Sequence, residues 1–200
     1  METNTTPQTL VGKKAPEFKA DALLGEDFKT MSLSDMKGKW TCLFFYPLDF
    51  TFVCPTEITA FDTAYKTFKE AGCEIVGCSV DSKFSHLAWA KTPRTQGGIG
   101  KLQYPLLADM TKQIAKDYGV LNPGGIAYRG LFLINPEGVV QYQLVHDLGI
   151  GRNPEEVLRV LKALQEVART GEVCPAGWTP GKKTMAPDPT KSQEYFKSNG

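Results

Sequence analysis

The sequence predicts an α/β sandwich in which helices flank a central mixed β-sheet, and three observations carry that reading. Short apolar runs of strand length alternate with runs whose apolar residues fall at helical spacing, in the order β-α-β-α-β-β-α. Two of the strand-like runs, KWTCLFFYP (Lys39 to Pro47) and CEIVGCSV (Cys73 to Val80), are almost continuously apolar, the pattern of strands buried on both faces. A third stretch, GLFLINPEGVVQYQLVHD (Gly130 to Asp147), folds back across an Asn-Pro-Glu-Gly turn, which puts an antiparallel pair into the sheet.

The elements follow in order. Residues 1–14 read as a loose arm. FKADALL and DFKTMSL are short strands around a turn at Gly25 to Asp27. After the 39–47 strand, Pro55 to Glu70 reads as a helix, with Ile58, Phe61, Tyr65 and Phe68 spaced for one apolar face. The 73–80 strand is followed by a short helix in FSHLAWAK, a short strand in YPLLAD and a helix in MTKQIAKDYGV that ends at Gly119. Beyond the hairpin, NPEEVLRVLKALQEVART opens with Asn153 as N-cap and Pro154 at the first helical position, and stops at Gly171. The remainder is rich in proline, glycine and lysine and reads as an extended C-terminal tail over a neighbouring surface, with TKSQEYF its one helical hint. The organisation expected is an arm over 1–14, a domain over 15–170 and a tail over 171–200.

Composition narrows the function. A formal net charge of +1 without a basic stripe gives no field that would favour nucleic acid or an anionic membrane. No apolar run approaches the roughly 20 residues of a membrane helix. METNTTPQTL lacks the basic and apolar regions of a secretory signal, so a soluble, cytoplasmic protein is expected. Five cysteines, an odd number, argue against a static disulfide scaffold and leave catalysis, metal binding or plain burial. Cys42, Cys73 and Cys78 lie in or beside strand patterns and read as small buried hydrophobes. No second cysteine or histidine pair accompanies Cys73 and Cys78, so a zinc site is not expected. QGGIGKL fails the spacing of a phosphate loop, because Thr95 stands where the first glycine is needed and Leu102 follows Lys101.

Cys54 differs from the other strand-associated thiols. It stands between the 39–47 strand and Pro55, at the mouth of a helix, where unpaired N–H groups and the helix dipole favour a thiolate. Thr51, one turn earlier, offers a hydroxyl, whereas Glu57 has the spacing of a capping box and could simply close the helix start. Ionisation has a limited yield. A free cysteine is about 3 % thiolate at pH 7, so full ionisation gains roughly thirtyfold and fast chemistry needs transition-state stabilisation as well.

PLDFTFVCPTE (Pro47 to Glu57) resembles the peroxiredoxin motif P-x-x-x-T-x-x-C, matched at Pro47, Thr51 and Cys54. GEVCPAGW (Gly171 to Trp178) resembles the resolving-cysteine motif of the typical 2-Cys peroxiredoxins, the alkyl hydroperoxide reductase C and thioredoxin peroxidase family. SVDSKFSHLAW, YPLLAD and AYRGLFLI follow the same family in order and spacing, so the resemblance covers almost the whole chain from Val11. It implies a thioredoxin-like fold and a peroxidase for hydrogen peroxide and organic hydroperoxides that uses no metal, haem or flavin of its own. By the resemblance, Cys54 is the peroxidatic thiolate, Thr51 bonds the peroxide and Pro47 shields the sulfur. Arg129 would hold the thiolate and the leaving oxygen, with Glu57 and Arg152 as a supporting ion-pair network. Cys174 would resolve the Cys54 sulfenic acid of a partner subunit, which implies a homodimer with an intersubunit Cys54–Cys174 disulfide, assembled five-fold into a decamer. Thioredoxin or a flavoprotein disulfide reductase would return the electrons. GGIG (Gly97 to Gly100), with isoleucine where leucine is usual, and Tyr195-Phe196 resemble signatures of members that over-oxidise easily.

Other functions fit less well. A general dithiol oxidoreductase needs C-x-x-C at the helix mouth, and position 57 is glutamate. A holdase chaperone is known in this family as a secondary activity and leaves no mark that the sequence shows. A dead scaffold is opposed by the joint presence of Pro47, Thr51, Cys54, Arg129 and Cys174.

Overall fold

A computed structural model describes residues 9–199, so positions 1–8 of the expected arm and the final glycine lie outside the described residues. The backbone divides into two compact units at the Asn153–Pro154 boundary.

The first unit is built on a seven-stranded mixed sheet. Its strands are β1 (Lys19–Leu24), β2 (Asp27–Ser32), β3 (Trp40–Phe45), β4 (Cys73–Ser79), β5 (Leu106–Ala108), β6 (Arg129–Ile134) and β7 (Val140–His146). They lie in the order β2-β1-β5-β4-β3-β6-β7. The central trio β3, β4 and β5 is parallel, and every other pair is antiparallel. The two apolar runs therefore occupy the middle of the sheet, where both faces are covered. Leu24 pairs with Asp27, which leaves Gly25 and Glu26 as a tight turn, and Gly25 takes the left-handed φ of 64° that such a turn requires.

Alternation along β3 sorts its side chains between two cores. Leu43 and Phe45 join Val76, Cys78, Leu107 and Phe132 on one face. Phe44 points the other way and stacks on Phe61 of α1 (Cys54–Glu70), with ring centroids 4.7 Å apart. α2 (Lys83–Lys91) starts at Ser82, whose side chain accepts from the Ser85 N–H. The helix expected in MTKQIAKDYGV is shorter, α3 covering only Gln113–Asp117. Lys112 holds a left-handed φ of 63°, and the Asp109 carboxylate accepts from the Ile114 and Ala115 N–H groups. The helix start is thus fixed after Lys112 and cannot extend towards Met110. Leu10 to Ala15 run beside β7, with backbone bonds from Gly12 to Val140 and from Val140 to Lys13.

The second unit opens with α4 (Pro154–Thr170), in which Val157 and Leu161 are buried. Gly171 ends it at a left-handed φ of 72°. The tail beyond is more structured than an extended strap. Val173 and Met185 exchange both backbone hydrogen bonds at 2.9 Å, and α5 (Ser192–Asn199) follows a turn in which Asp188 accepts from the Thr190 and Lys191 N–H groups. Among the described residues, no helix is long and apolar enough to cross a membrane.

The Gly97–Gly100 loop is tied to α2 by the Trp89 indole, which donates to the Gly97 carbonyl at 2.7 Å. Its Gly98 lies so close to the chain that an added Cβ would stand 1.8 Å from the Thr92 carbonyl oxygen. Backbone at that distance cannot give way cheaply. Gly98→Ala is expected to cost at least about 2 kcal/mol in denaturant unfolding, by overpacking. Gly149→Ala, where nothing stands within 4 Å, should stay close to the native midpoint.

Candidate active site

β3 delivers the chain through Tyr46 and buried Pro47 into a loop that ends at Cys54, the first residue of α1. The Thr51 hydroxyl donates to the Leu48 carbonyl at 2.9 Å and closes this loop as a turn. Phe50 within it carries a φ of 54°, a strained value for an aromatic residue. Pro55 in the first turn loses no bond, since its N–H would have no partner there. The Cys54 side chain is fully buried.

Glu57 does not close the helix start, because no side chain caps it. Its carboxylate turns inward to two arginines from distant segments. Arg129, the first residue of β6, donates from Nη1 to Glu57 Oε2 at 2.6 Å and from Nε to the Leu148 carbonyl at 2.8 Å. The same Nη1 lies 3.4 Å from Cys54 Sγ. Arg152 bonds Glu57 Oε1 through its backbone N and Nε, both at 2.7 Å, and Oε2 through Nη2 at 3.1 Å. Its Nη1 donates to the Gly130 carbonyl at 2.6 Å. Burial alone would raise the Glu57 carboxyl, but the hydrogen bonds and charge of Arg152, and then the charge of Arg129, hold it below the ordinary range. Cys54, Glu57, Arg129 and Arg152 thus form one buried constellation, and Pro47 and Thr51 line the loop that leads into it.

A second buried network anchors the same loop and is not evident in the sequence. The Tyr46 hydroxyl donates to Asp49 Oδ1 at 2.9 Å, and His86 Nδ1 lies 2.8 Å from Asp49 Oδ2. His86 Nε2 faces the Leu107 carbonyl at 3.2 Å; a carbonyl only accepts, so Nε2 carries hydrogen and a proton lies between Nδ1 and Asp49. The Asp49 N–H donates to Asp81 Oδ2 at 2.9 Å. Burial, then the Asp49 charge, raises the Asp81 carboxyl. One signal was available: His86 and Trp89, three residues apart, share a helix face, and both are fully buried.

Cys174 belongs to the second unit. It is half-buried beside the Val173–Met185 bridge, and its thiol donates to the Ala163 carbonyl of α4 at 3.7 Å. Burial and then Glu166 raise this thiol. Burial also raises Cys42, to about 12, and the thiols of Cys73 and Cys78. All five cysteines are free thiols.

The Glu57 carboxylate sets a pH dependence. Its folded-state value lies below the ordinary 4.5, so its stabilisation is complete above that value and is lost as pH falls through the folded one. Glu57→Gln should therefore lose about 3 kcal/mol at pH 7, as expected when one partner leaves a buried ion pair. Denaturant unfolding at pH 7 and again below pH 4 checks this: the gap between native and variant must narrow in acid.

With this geometry in place, known proteins can be compared. The model of the AhpC/TSA family matches residues 11–143, and that of the C-terminal domain of 1-Cys peroxiredoxin matches residues 163–198. The chain is 58% identical to the chloroplastic 2-Cys peroxiredoxin BAS1 of Hordeum vulgare over 94% of its own length and 90% of the relative's. It is 57% identical to the mitochondrial thioredoxin-dependent peroxide reductase of Mus musculus over 93% of this chain and 73% of that one. The reduced 2-Cys peroxiredoxin of Plasmodium vivax superposes with a TM-score of 0.93 at 48% identity, covering 95% of this chain and 100% of that one. The mixed sheet flanked by helices is thus the thioredoxin-like peroxiredoxin fold, and the chain belongs to the AhpC/TSA family as a 2-Cys peroxiredoxin, an oxidoreductase acting on peroxide.

Proposed function

We propose that Cys54 attacks hydrogen peroxide or an organic hydroperoxide, that Cys174 of a partner subunit resolves the product, and that thioredoxin or a flavoprotein reductase restores both thiols. The observation that carries this is the Arg129 guanidinium 3.4 Å from Cys54 Sγ at the first turn of α1. In the first step the Cys54 thiolate attacks one peroxide oxygen. The S–O bond forms as the O–O bond breaks, the sulfur loses two electrons, and the departing oxygen takes a proton to leave as water or an alcohol. A guanidinium stays protonated and presents donors in a fixed plane, which suits the charge growing on that oxygen. The Thr51 hydroxyl gives its proton to Leu48 and so keeps its lone pairs for a peroxide O–H. Buried Pro47 keeps water from the sulfur.

In the second step the Cys174 sulfur displaces hydroxide from the Cys54 sulfenic acid, releasing water as the disulfide forms. A dithiol donor then supplies two electrons and two protons. A relative named a thioredoxin-dependent peroxide reductase supports thioredoxin as that donor. The dimer is supported by the resemblance of GEVCPAGW to the resolving-cysteine motif, which implies a partner subunit for Cys174. Five such dimers would form the decamer. Treating reduced protein with one equivalent of hydrogen peroxide and mapping disulfides without reductant should give a Cys54–Cys174 link between two chains. Unlinked chains with oxidised Cys54 would overturn the two-cysteine cycle, and an unreacted Cys54 would overturn the peroxidase reading for this site.

Ready over-oxidation belongs to the same reading, supported by the pinned Gly97–Gly100 loop, with Ile99 fully buried, and by Tyr195 and Phe196 packed edge to face on α5 at 5.9 Å. A tail that slows the meeting of the two cysteines gives a second peroxide time to turn sulfenic into sulfinic acid. Deleting Gln193 to Gly200 should raise the peroxide dose needed to inactivate the enzyme severalfold. An unchanged dose in a titration of residual turnover removes the idea.

A further inference from the structure

The two arginines share one carboxylate, and what fixes the division between them lies beneath Arg152. Each nitrogen of that guanidinium has a partner: Nε and Nη2 bond Glu57, and Nη1 bonds the Gly130 carbonyl. These bonds set the plane of the group, and a surface packed against one face supports that plane. One face of Arg152 lies over the Phe44 ring, with Cζ 5.3 Å from its centroid. Phe44 is fully buried and held from two further sides. It stacks on Phe61 at 4.7 Å and meets Tyr104 edge to face at 5.9 Å, while the Tyr104 hydroxyl donates to the Ile58 carbonyl at 2.7 Å. Its neighbour across the β3–β4 pair is Gly77, where a Cβ would come within 3.0 Å of the ring. The backbone thus makes room for an aromatic ring in this one orientation.

We propose that Phe44 is a positioning residue for the peroxidatic centre: its ring face seats Arg152, and so sets how the Glu57 carboxylate is divided between Arg152 and Arg129. The consequence passes through a single nitrogen. Arg129 Nη1, which carries two N–H donors, serves both Glu57 Oε2 at 2.6 Å and Cys54 Sγ at 3.4 Å, so carboxylate and sulfur share the charge of one guanidinium. Arg152, bonded to both oxygens of Glu57, takes up most of that negative charge and leaves Arg129 for the sulfur. Weakening the seat lets Arg152 tilt, hands the carboxylate to Arg129, and withdraws positive charge from Cys54. The attraction between a buried guanidinium and a ring face is large enough to matter, since it rests on the ring quadrupole away from bulk solvent.

This inference rests on Cys54 as the reactive sulfur and is testable without peroxide. Fluorinated phenylalanines placed at position 44 of the full chain weaken the negative ring face step by step while keeping the shape nearly constant. Alkylation of Cys54 by iodoacetamide, followed on the Cys54 peptide by mass spectrometry, gives a pH profile for each variant. The profile should move to higher pH with each added fluorine, by up to about one unit across the series, the scale of a buried cation–π contact. Phe44→Leu should shift it in the same direction and also lower the thermal midpoint. A flat profile across the fluorinated series overturns the inference, as does a Phe44→Leu protein that loses stability but keeps the native profile. Peroxide turnover of the unmodified chain is measured in parallel. If it turns over while the series is flat, only the Phe44 role falls; if Cys54 ignores peroxide, the peroxidase reading fails whatever the series shows.

Discussion

The Glu57 carboxylate is shared by Arg129 and Arg152, and all three side chains are buried, so none can lose its partners without stranding a charge away from water. Desolvating three charges is costly, and the cost is offset only when nearly every donor and lone pair finds a partner. Here they do, through Leu148, Gly130 and both oxygens of Glu57. The arrangement ties the start of α1 to the start of β6 and to the loop that ends at Arg152. It also leaves an imbalance: two guanidinium groups face one carboxylate. The second guanidinium's donor nitrogen, Arg129 Nη1, also meets Cys54 Sγ at 3.4 Å.

A loop that carries a reactive sulfur must be held from both ends. On the α1 side the hold is ionic, through Glu57. On the β3 side it is the network of Tyr46, Asp49, Asp81 and His86, which grips the loop through the Asp49 side chain and N–H. Between these anchors the chain tolerates the positive φ of Phe50. Strain of that kind persists where the surroundings over-determine the backbone.

The sequence showed most of the elements and little of how they meet. Pro55 and the spacing of Ile58, Phe61 and Phe68 were enough to place α1, because a proline start and a 3.6-residue period are local signals. The position of Cys54 followed from them. The role of Glu57 did not, since a glutamate three residues into a helix satisfies a capping box as well as an ion pair, and only the fold shows where its carboxylate turns. Arg129 and Arg152 were named by family resemblance; no pattern in the chain says that residues this far apart converge. α3 came out shorter than its helical composition suggests, because the Asp109 cap and the conformation of Lys112 override propensity. The contacts of Phe44 and His86 left no sign in the sequence, since a residue string does not say what a ring face or a ring nitrogen touches.

Five thiols in one chain pose a problem of selection, and the surroundings of each answer it. Cys42, Cys73 and Cys78 are buried, and burial pushes their thiols up. Cys174 is more open, yet its sulfur donates to a carbonyl and faces Glu166, two features that keep the proton on it. Cys54 has the opposite setting, a guanidinium nitrogen at 3.4 Å. A thiol that held its proton too loosely in the tail would compete for peroxide in the open. In the proposed cycle Cys174, held as a thiol until a sulfenic acid is presented to it, would take the second step and not the first. The proposed division of labour between the two cysteines rests on which charge each one faces.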